Sequence, residues 1–253
     1  MKPPVFDYLI PDWPAPENIQ AVITLRSSGN SRAPYDHFNL ASHVGDNQQQ
    51  VALNRQQLIQ QLGLKSQPLW LNQVHGTEVV EGAVNDSVPS ADGSFSHNIH
   101  QACVILTADC LPILFCNQQG TKVAAVHAGW RGLCGGIIGS AIKRFDKNDT
   151  LLAYLGPAIS AEHFEVGPEV REQFLASALS GEHRKNIEQG FASAGSESYL
   201  ADLYALARAE LQHYGVKQIY GGNFCSFSQS EQFYSYRREN KCGRNASLIW
   251  LKS

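Results

Sequence analysis

The stretch QACVILTADCLPILFCNQQGTKVAAVHAGWRG, residues 101–132, decides how this chain is read. Gln101 to Thr107, Leu111 to Cys116 and Lys122 to Val126 are apolar runs of strand length, and Asn117 to Gly120 supplies the turn between the last two. Leu111-Pro112 marks a break between the first two runs. After His127 the period changes. Leu133, Ile137, Ile138, Ala141, Ile142 and Phe145 fall on one helical face. Buried strands therefore feed directly into a helix.

The pattern extends outward in both directions. Downstream, Leu151 to Leu155 reads as a strand stopped by Gly156-Pro157. Leu200, Leu203, Tyr204, Ala207 and Leu211 mark a helix, Lys217 to Tyr220 a short strand and Ser247 to Leu251 a terminal one. Upstream, Ala21 to Leu25 reads as a strand. Arg26 to Asp46 is rich in Ser, Gly, Asn and Pro and reads as a long irregular loop, a kind of segment that often carries function. Val51, Leu58, Ile59 and Leu62 suit an amphipathic helix ended by Gly63. Strands and helices mix without regular βαβ alternation, which predicts an α+β or mixed-sheet fold over a Rossmann type. No repeat, low-complexity stretch or Ser/Gly linker interrupts residues 1–253, so one domain is expected.

Composition narrows the function classes. The chain has 253 residues, 43% hydrophobic and 17% charged, with a formal net charge of −3. Nothing in that balance suggests a polyanion-binding surface, so no nucleic-acid partner is expected. The Met1-Lys2-Pro3-Pro4 start lacks the apolar core of a signal peptide, and no apolar run is long enough to cross a bilayer. A cytoplasmic location without membrane partners is expected. The six cysteines include no CxxC pair and show no tight disulfide pattern. Cys103, Cys116 and Cys134 sit among apolar residues and read as core thiols.

Three residues stand apart: His75 in Gln73-Val74-His75-Gly76, Cys110 in Asp109-Cys110-Leu111, and His127 in Val126-His127-Ala128. Each lies at or just after the end of a strand-like run, where sites collect. Two imidazoles and one thiolate are the ligand number and type of a catalytic zinc with one open position. Any one of the three alone is as well explained as a satisfied histidine or an inert thiol. A metal-free alternative makes Cys110 a nucleophile with His75 or His127 as its base, although two histidines exceed what a dyad needs. Asp109 either orients a ligand or caps a turn. The helix start after His127, with Arg131, favours an anion there. Arg26, Arg55, Arg237, Arg238 and Arg244 flank loops and suit phosphate or carboxylate, although a solvated surface charge is the commoner role for any one of them. Phe233, Tyr234 and Tyr236 suit a stacking face or a core equally well. His43 sits in a loop able to close over a pocket. His37, His97, His100, His163, His183 and His213 lie in polar surroundings and read as surface residues.

Together these motifs resemble the YfiH-type family, also called multicopper polyphenol oxidase (laccase) domain proteins or peptidoglycan editing factors. The resemblance is carried by Pro34-Tyr35, Asn39-Leu40, His43-Val44-Gly45-Asp46, Asn54-Arg55, Gln73-Val74-His75-Gly76, Thr107-Ala108-Asp109-Cys110-Leu111-Pro112, Ala125-Val126-His127-Ala128-Gly129-Trp130-Arg131-Gly132, Leu155-Gly156-Pro157-Ala158-Ile159, Phe164-Glu165-Val166, and Ser235-Tyr236-Arg237-Arg238 with Gly243-Arg244. It implies a layered α/β/β/α fold with mixed sheets, related to cysteine hydrolases. It implies zinc on His75, Cys110 and His127, with Arg55 as a further catalytic group and Arg26, Asn39, His43, Asp109, Arg131, Arg237 and Arg244 around the substrate. The implied activities are phosphorolysis of adenosine, inosine, guanosine and methylthioadenosine, with adenosine deamination. The implied alternative is removal of L-serine from a UDP-MurNAc precursor, and a third reading is a non-catalytic metal- and nucleotide-binding regulator. The early loop, Ser27-Ser28-Gly29-Asn30-Ser31-Arg32, departs from the family's Gly-Gly pattern. Copper is less well matched than zinc, because the chain has no HxH spacing and its sole methionine is Met1.

Overall fold

The computed structural model describes residues 6–82, 88–195 and 197–252. The Met1-Lys2-Pro3-Pro4 start lies outside them. A six-stranded mixed sheet runs in the order Gln218–Gly221, Leu151–Leu155, Leu111–Asn117, Val123–Ala128, Gly93–Ser96, Val79–Glu81. Its two outer pairs are parallel and its inner pairs antiparallel. A four-stranded antiparallel sheet runs Tyr8–Leu9, Ile19–Thr24, Asn245–Leu251, Cys103–Thr107. A small antiparallel sheet joins Phe191–Ser193, Tyr199–Ala201 and Glu165–Val166.

Alternation along the strands stacks the layers. Along Leu111–Asn117, Leu114 and Cys116 face the four-stranded sheet and pack with Ile19, Ile23, Ile105 and Ile249. Ile113 and Phe115 face the opposite way, against Ile137, Ile138, Leu203 and Ala207 of the helices. On the far side of the four-stranded sheet, Val22, Val104 and Leu248 pack with Leu58, from the helix Gln48–Leu62, and with Phe38 and Leu40 of the long loop. Three apolar interiors thus separate four layers, α/β/β/α. Both sheets are buried on both faces, which is why their strands read as continuous apolar runs. Among the described residues no helix is long and apolar enough to cross a membrane.

The expected elements recur with shifts that have local causes. The helix Gln48–Leu62 is capped by Asn47, whose side chain accepts from the backbone N–H of Gln49 and Gln50. Gly63 closes it at φ 62°. The single helical face read after His127 is two short helices, Trp130–Cys134 and Ile137–Ile142, parted where Gly136 takes φ 91°. Apolar spacing alone does not register that break. Leu200 belongs to a strand, and the helix downstream starts at Leu203, capped by Asp202. The helix Gly181–Gln189 leaves no apolar pattern in the sequence, because only His183 and Ile187 of its nine residues are buried. His183 is itself a correction. It is 2% exposed rather than at the surface, with Nε2 3.2 Å from Glu210 Oε2. Phe233 and Tyr234 are core residues, whereas Tyr236 is exposed. Cys103 and Cys116 lie in the inter-sheet core, where burial pushes both thiols up to about 12. All six cysteines are free.

Candidate metal centre

Strand register brings the site together. Leu111 pairs with Ala128, so Cys110, one residue earlier, stands beside Gly129. Gly93 pairs with Val126, so Asp92 stands opposite His127, whose backbone N–H donates to the Asp92 carbonyl at 2.7 Å. His75 arrives on the loop before Val79–Glu81 with φ 60°. One ligand atom from each of His75, Cys110 and His127 lies within 4.8 Å of the others. Cys110 Sγ is 3.9 Å from His75 Nε2, and the two imidazoles meet edge to face at 4.7 Å between centroids. His127 is buried, Cys110 half-buried and His75 exposed, so the cluster opens to solvent on the His75 side.

Asp92 organises this cluster, and the sequence reading missed it. Its fully buried carboxylate takes His127 Nδ1 at 2.8 Å and accepts the backbone N–H groups of Val74 at 3.1 Å, His75 at 2.9 Å and Gly76 at 2.6 Å. One side chain therefore fixes one ligand ring and the backbone that carries another. In Ala91-Asp92-Gly93 the aspartate shows only a turn signature. Burial opposes its ionisation, but these hydrogen bonds, led by that of His127, hold its pKa below the ordinary value.

The electrostatics suit a cation. Burial would push the Cys110 thiol up, but His127 and the hydrogen bonds from both imidazoles outweigh it and bring the thiol down to about 6. Burial would lower His127, yet the Cys110 thiolate and Asp92 raise it to about 9. The charges that hold a proton on His127 equally suit a metal ion in its place. Space is reserved too. A Cβ on Gly129 would stand 3.0 Å from Cys110 Sγ, 3.2 Å from His75 Cδ2 and 3.5 Å from His127 Nε2. The donor set and this cradle both fit a single metal ion.

The other expected site residues divide into groups. Asp109, at φ 93°, adjoins Cys110 and accepts from Ser226 Oγ at 2.7 Å and from the backbone N–H of Arg237 at 2.7 Å. The Arg237 guanidinium donates to the carbonyls of His163 and Glu165. Arg131 is exposed, with its guanidinium 4.3 Å from the Trp130 ring, and the helix behind it has only five residues. So short a run of aligned peptides gives the anion site expected there little dipole. Arg26 is bound to Glu239 at 2.8 Å and to the carbonyls of Asp36 and Ser230, and Arg238 bonds the same Glu239. Asn39 is fully buried, with its amide committed to Ala41, Asp46 and the backbone N–H of Arg244. Arg26 and Asn39 thus both have internal partners. Burial lowers His43, and the charges of Arg244 and Arg55 lower it further.

A two-sheet sandwich between helical layers, with a His₂Cys centre where strands of both sheets end, defines a class of α+β protein built around one candidate metal ion. Residues 20–252 match the family described as multi-copper polyphenol oxidoreductase laccase. The chain is 45% identical over 245 residues to "Purine nucleoside phosphorylase YfiH" of Escherichia coli, covering 96% of this chain and 98% of the relative. It is 47% identical over 246 residues to "Purine nucleoside phosphorylase PA4543" of Pseudomonas aeruginosa, covering 97% and 98%. The structure of protein NMB0706 from Neisseria meningitidis superposes with a TM-score of 0.90 at 45% identity, over 97% of this chain and 99% of that one. YlmD from Geobacillus stearothermophilus superposes with a TM-score of 0.88 at 26% identity, over 99% and 100%. The chain belongs to this laccase-described, YfiH-type family.

Proposed function

We propose that the chain is a zinc-dependent purine nucleoside phosphorylase that cleaves adenosine, inosine, guanosine and methylthioadenosine with phosphate and also deaminates adenosine. The observation that carries the reading is the convergence of His75, Cys110 and His127 with Asp92 behind them, in a chain whose curated relatives are named purine nucleoside phosphorylases. Zinc held there supplies a Lewis acid that polarises an oxygen or lowers the pKa of a water. His127, with Nδ1 on Asp92, presents Nε2 to the centre, and Cys110 presents a thiolate. Asp109, held by Ser226 and the Arg237 amide, stands beside Cys110 as an acceptor for a substrate hydroxyl or amine. Zinc is preferred to copper because multicopper oxidation needs several ligand clusters, and among the described residues one such group gathers.

The test incubates purified zinc-loaded protein with inosine, with and without phosphate, and separates the products by chromatography. Hypoxanthine and ribose 1-phosphate should appear only with phosphate, and adenosine should yield inosine in either condition. Cys110→Ala should lose its metal and both reactions. Undiminished phosphorolysis by metal-free Cys110→Ala would overturn the reading.

A further inference from the structure

Asp92 ties the His75 loop to the His127 strand, whereas Cys110 arrives from a strand of the other sheet. We propose that Gln73 is the positioning residue that ties His75 to Cys110, its side-chain amide fastening the His75 segment to the strand that leads into the thiolate. The inference rests on the zinc reading of the centre and is independent of the reaction the zinc serves.

Cys103–Thr107 is an edge strand of the four-stranded sheet. On one side it pairs with Asn245–Leu251, with Ala246 opposite Leu106. On the other side the segment before His75 runs beside it in parallel. Leu69 bridges Cys103, and its N–H donates to the Ala102 carbonyl at 3.0 Å. Three residues later the backbone has turned away, because Asn72 bridges Ser90, donating to the Pro89 carbonyl at 2.9 Å and accepting from Ala91 at 3.2 Å. The half-buried Gln73 side chain spans the gap. Its Oε1 accepts the Leu106 N–H at 2.8 Å, and its Nε2 donates to the Leu106 carbonyl at 2.9 Å. A planar amide thus stands where the peptide group of a neighbouring strand would. Leu106 is buried, so its N–H and C=O need these partners.

Both ends of the clamp lie close to candidate ligands. His75 follows Gln73 by two residues and Cys110 follows Leu106 by four. The clamp therefore closes a short ring of chain around the 3.9 Å approach of Cys110 Sγ to His75 Nε2. His75 is exposed and takes φ 60°, a conformation that costs a residue other than glycine. The Gln73 amide on one side and Asp92 on the other hold it there. With one anchor removed, the imidazole can swing about the other and leave an ion shared with Cys110.

The fold also holds a matched control. Gln61 clamps Phe6 with the same pair of bonds, accepting its N–H and donating to its carbonyl, both at 2.8 Å. Gln61 is on the helix Gln48–Leu62 and Phe6 in the interior beneath it, a layer that contributes none of the three candidate ligands.

The experiment compares full-length wild type, Gln73→Met, Gln61→Met and His75→Ala. Methionine keeps the length of the side chain and removes both hydrogen bonds. The readouts are zinc affinity by chelator competition, the visible spectrum of protein loaded with Co²⁺ in place of zinc, and urea unfolding of the metal-free protein. Gln73→Met should weaken zinc binding about tenfold or more, as for other partners that orient ligands. Its cobalt d–d bands should move toward those of His75→Ala, while the charge-transfer band of the Cys110 thiolate persists. Gln61→Met should lower the unfolding midpoint by a similar amount and leave zinc affinity and the cobalt spectrum as in wild type. Gln73→Met combined with His75→Ala should bind zinc no more weakly than His75→Ala alone, because Gln73 acts through that imidazole. Should Gln73→Met fail to fold, Gln73→Asn, one methylene too short to span the gap, carries the same expectation. Wild-type zinc affinity and cobalt spectrum in the folded Gln73 variants would overturn the positioning role and leave the zinc centre standing. A wild type that binds neither zinc nor cobalt overturns the zinc reading and this inference together.

Discussion

The Asp92 carboxylate and the His127 imidazole meet at 2.8 Å, and the same carboxylate binds three successive backbone N–H groups around His75. Orientation of two candidate metal ligands therefore converges on one side chain that stands behind them. Asp92→Asn should weaken zinc binding by about 10–100-fold, the usual cost of losing such an orienting partner. Chelator competition measures it. Affinity equal to wild type would show that strand register alone orients His127.

Gly129 is the second structural condition for the centre. Its missing side chain leaves room that a methyl group would take at 3.0 Å from Cys110 Sγ and 3.2 Å from His75 Cδ2. Gly129→Ala should lose zinc while keeping a cooperative unfolding transition, with a stability cost of about 1–3 kcal/mol from overpacking. Metal analysis and urea denaturation of one preparation separate the two effects.

Tyr204 binds the loop behind the site to the helix Leu203–His213. Its hydroxyl accepts the Ala158 N–H at 2.8 Å and lies 2.8 Å from the Phe224 carbonyl and 3.0 Å from that of Gly156. Tyr204→Phe strands the buried Ala158 N–H and should cost about 1–3 kcal/mol in urea unfolding. Zinc affinity should hold, because the Tyr204 hydroxyl bonds backbone groups of Gly156, Ala158 and Phe224.

Glu210 sets a pH dependence. Burial raises its carboxyl from 4.5 to about 7, so the folded chain holds that proton more tightly than the unfolded one. Its contribution to stability is complete below about pH 4.5 and is lost as pH rises to about 7, a loss of about 3 kcal/mol at most. His183, lowered by burial, acts in the opposite sense on the acid side of its ordinary 6.5. The clean comparison is Glu210→Gln against wild type at pH 5 and pH 8. The variant should gain stability relative to wild type at pH 8, and a gain equal at both pH values would remove Glu210 as the cause.

The central strands were legible because both sheets are covered on both faces, which leaves Leu111 to Cys116 and Leu151 to Leu155 as uninterrupted apolar runs. Cys110 and His127 were legible because each stands at the edge of such a run, whereas His75 follows only isolated bridges at Leu69 and Asn72. Asp92 was not. Its role depends on the pairing of Gly93 with Val126, a long-range register that no local pattern carries. The helices Pro168–Ala176 and Gly181–Gln189 were hidden by their largely exposed faces. Arg26 was legible as a cation but not as the partner of Glu239, distant in sequence.

Residues 108–110 carry the chain from Cys103–Thr107 of one sheet to Leu111–Asn117 of the other. A surface loop absorbs an insertion by bulging outward. This crossover has no such freedom, since an added residue would slide one sheet over its neighbour or move Cys110 away from its histidines. The thiolate is in that sense a rivet through both layers. New substrate preferences in proteins of this architecture should therefore arise by remodelling the peripheral segments 26–46 and 222–244, while the length of the crossover stays fixed.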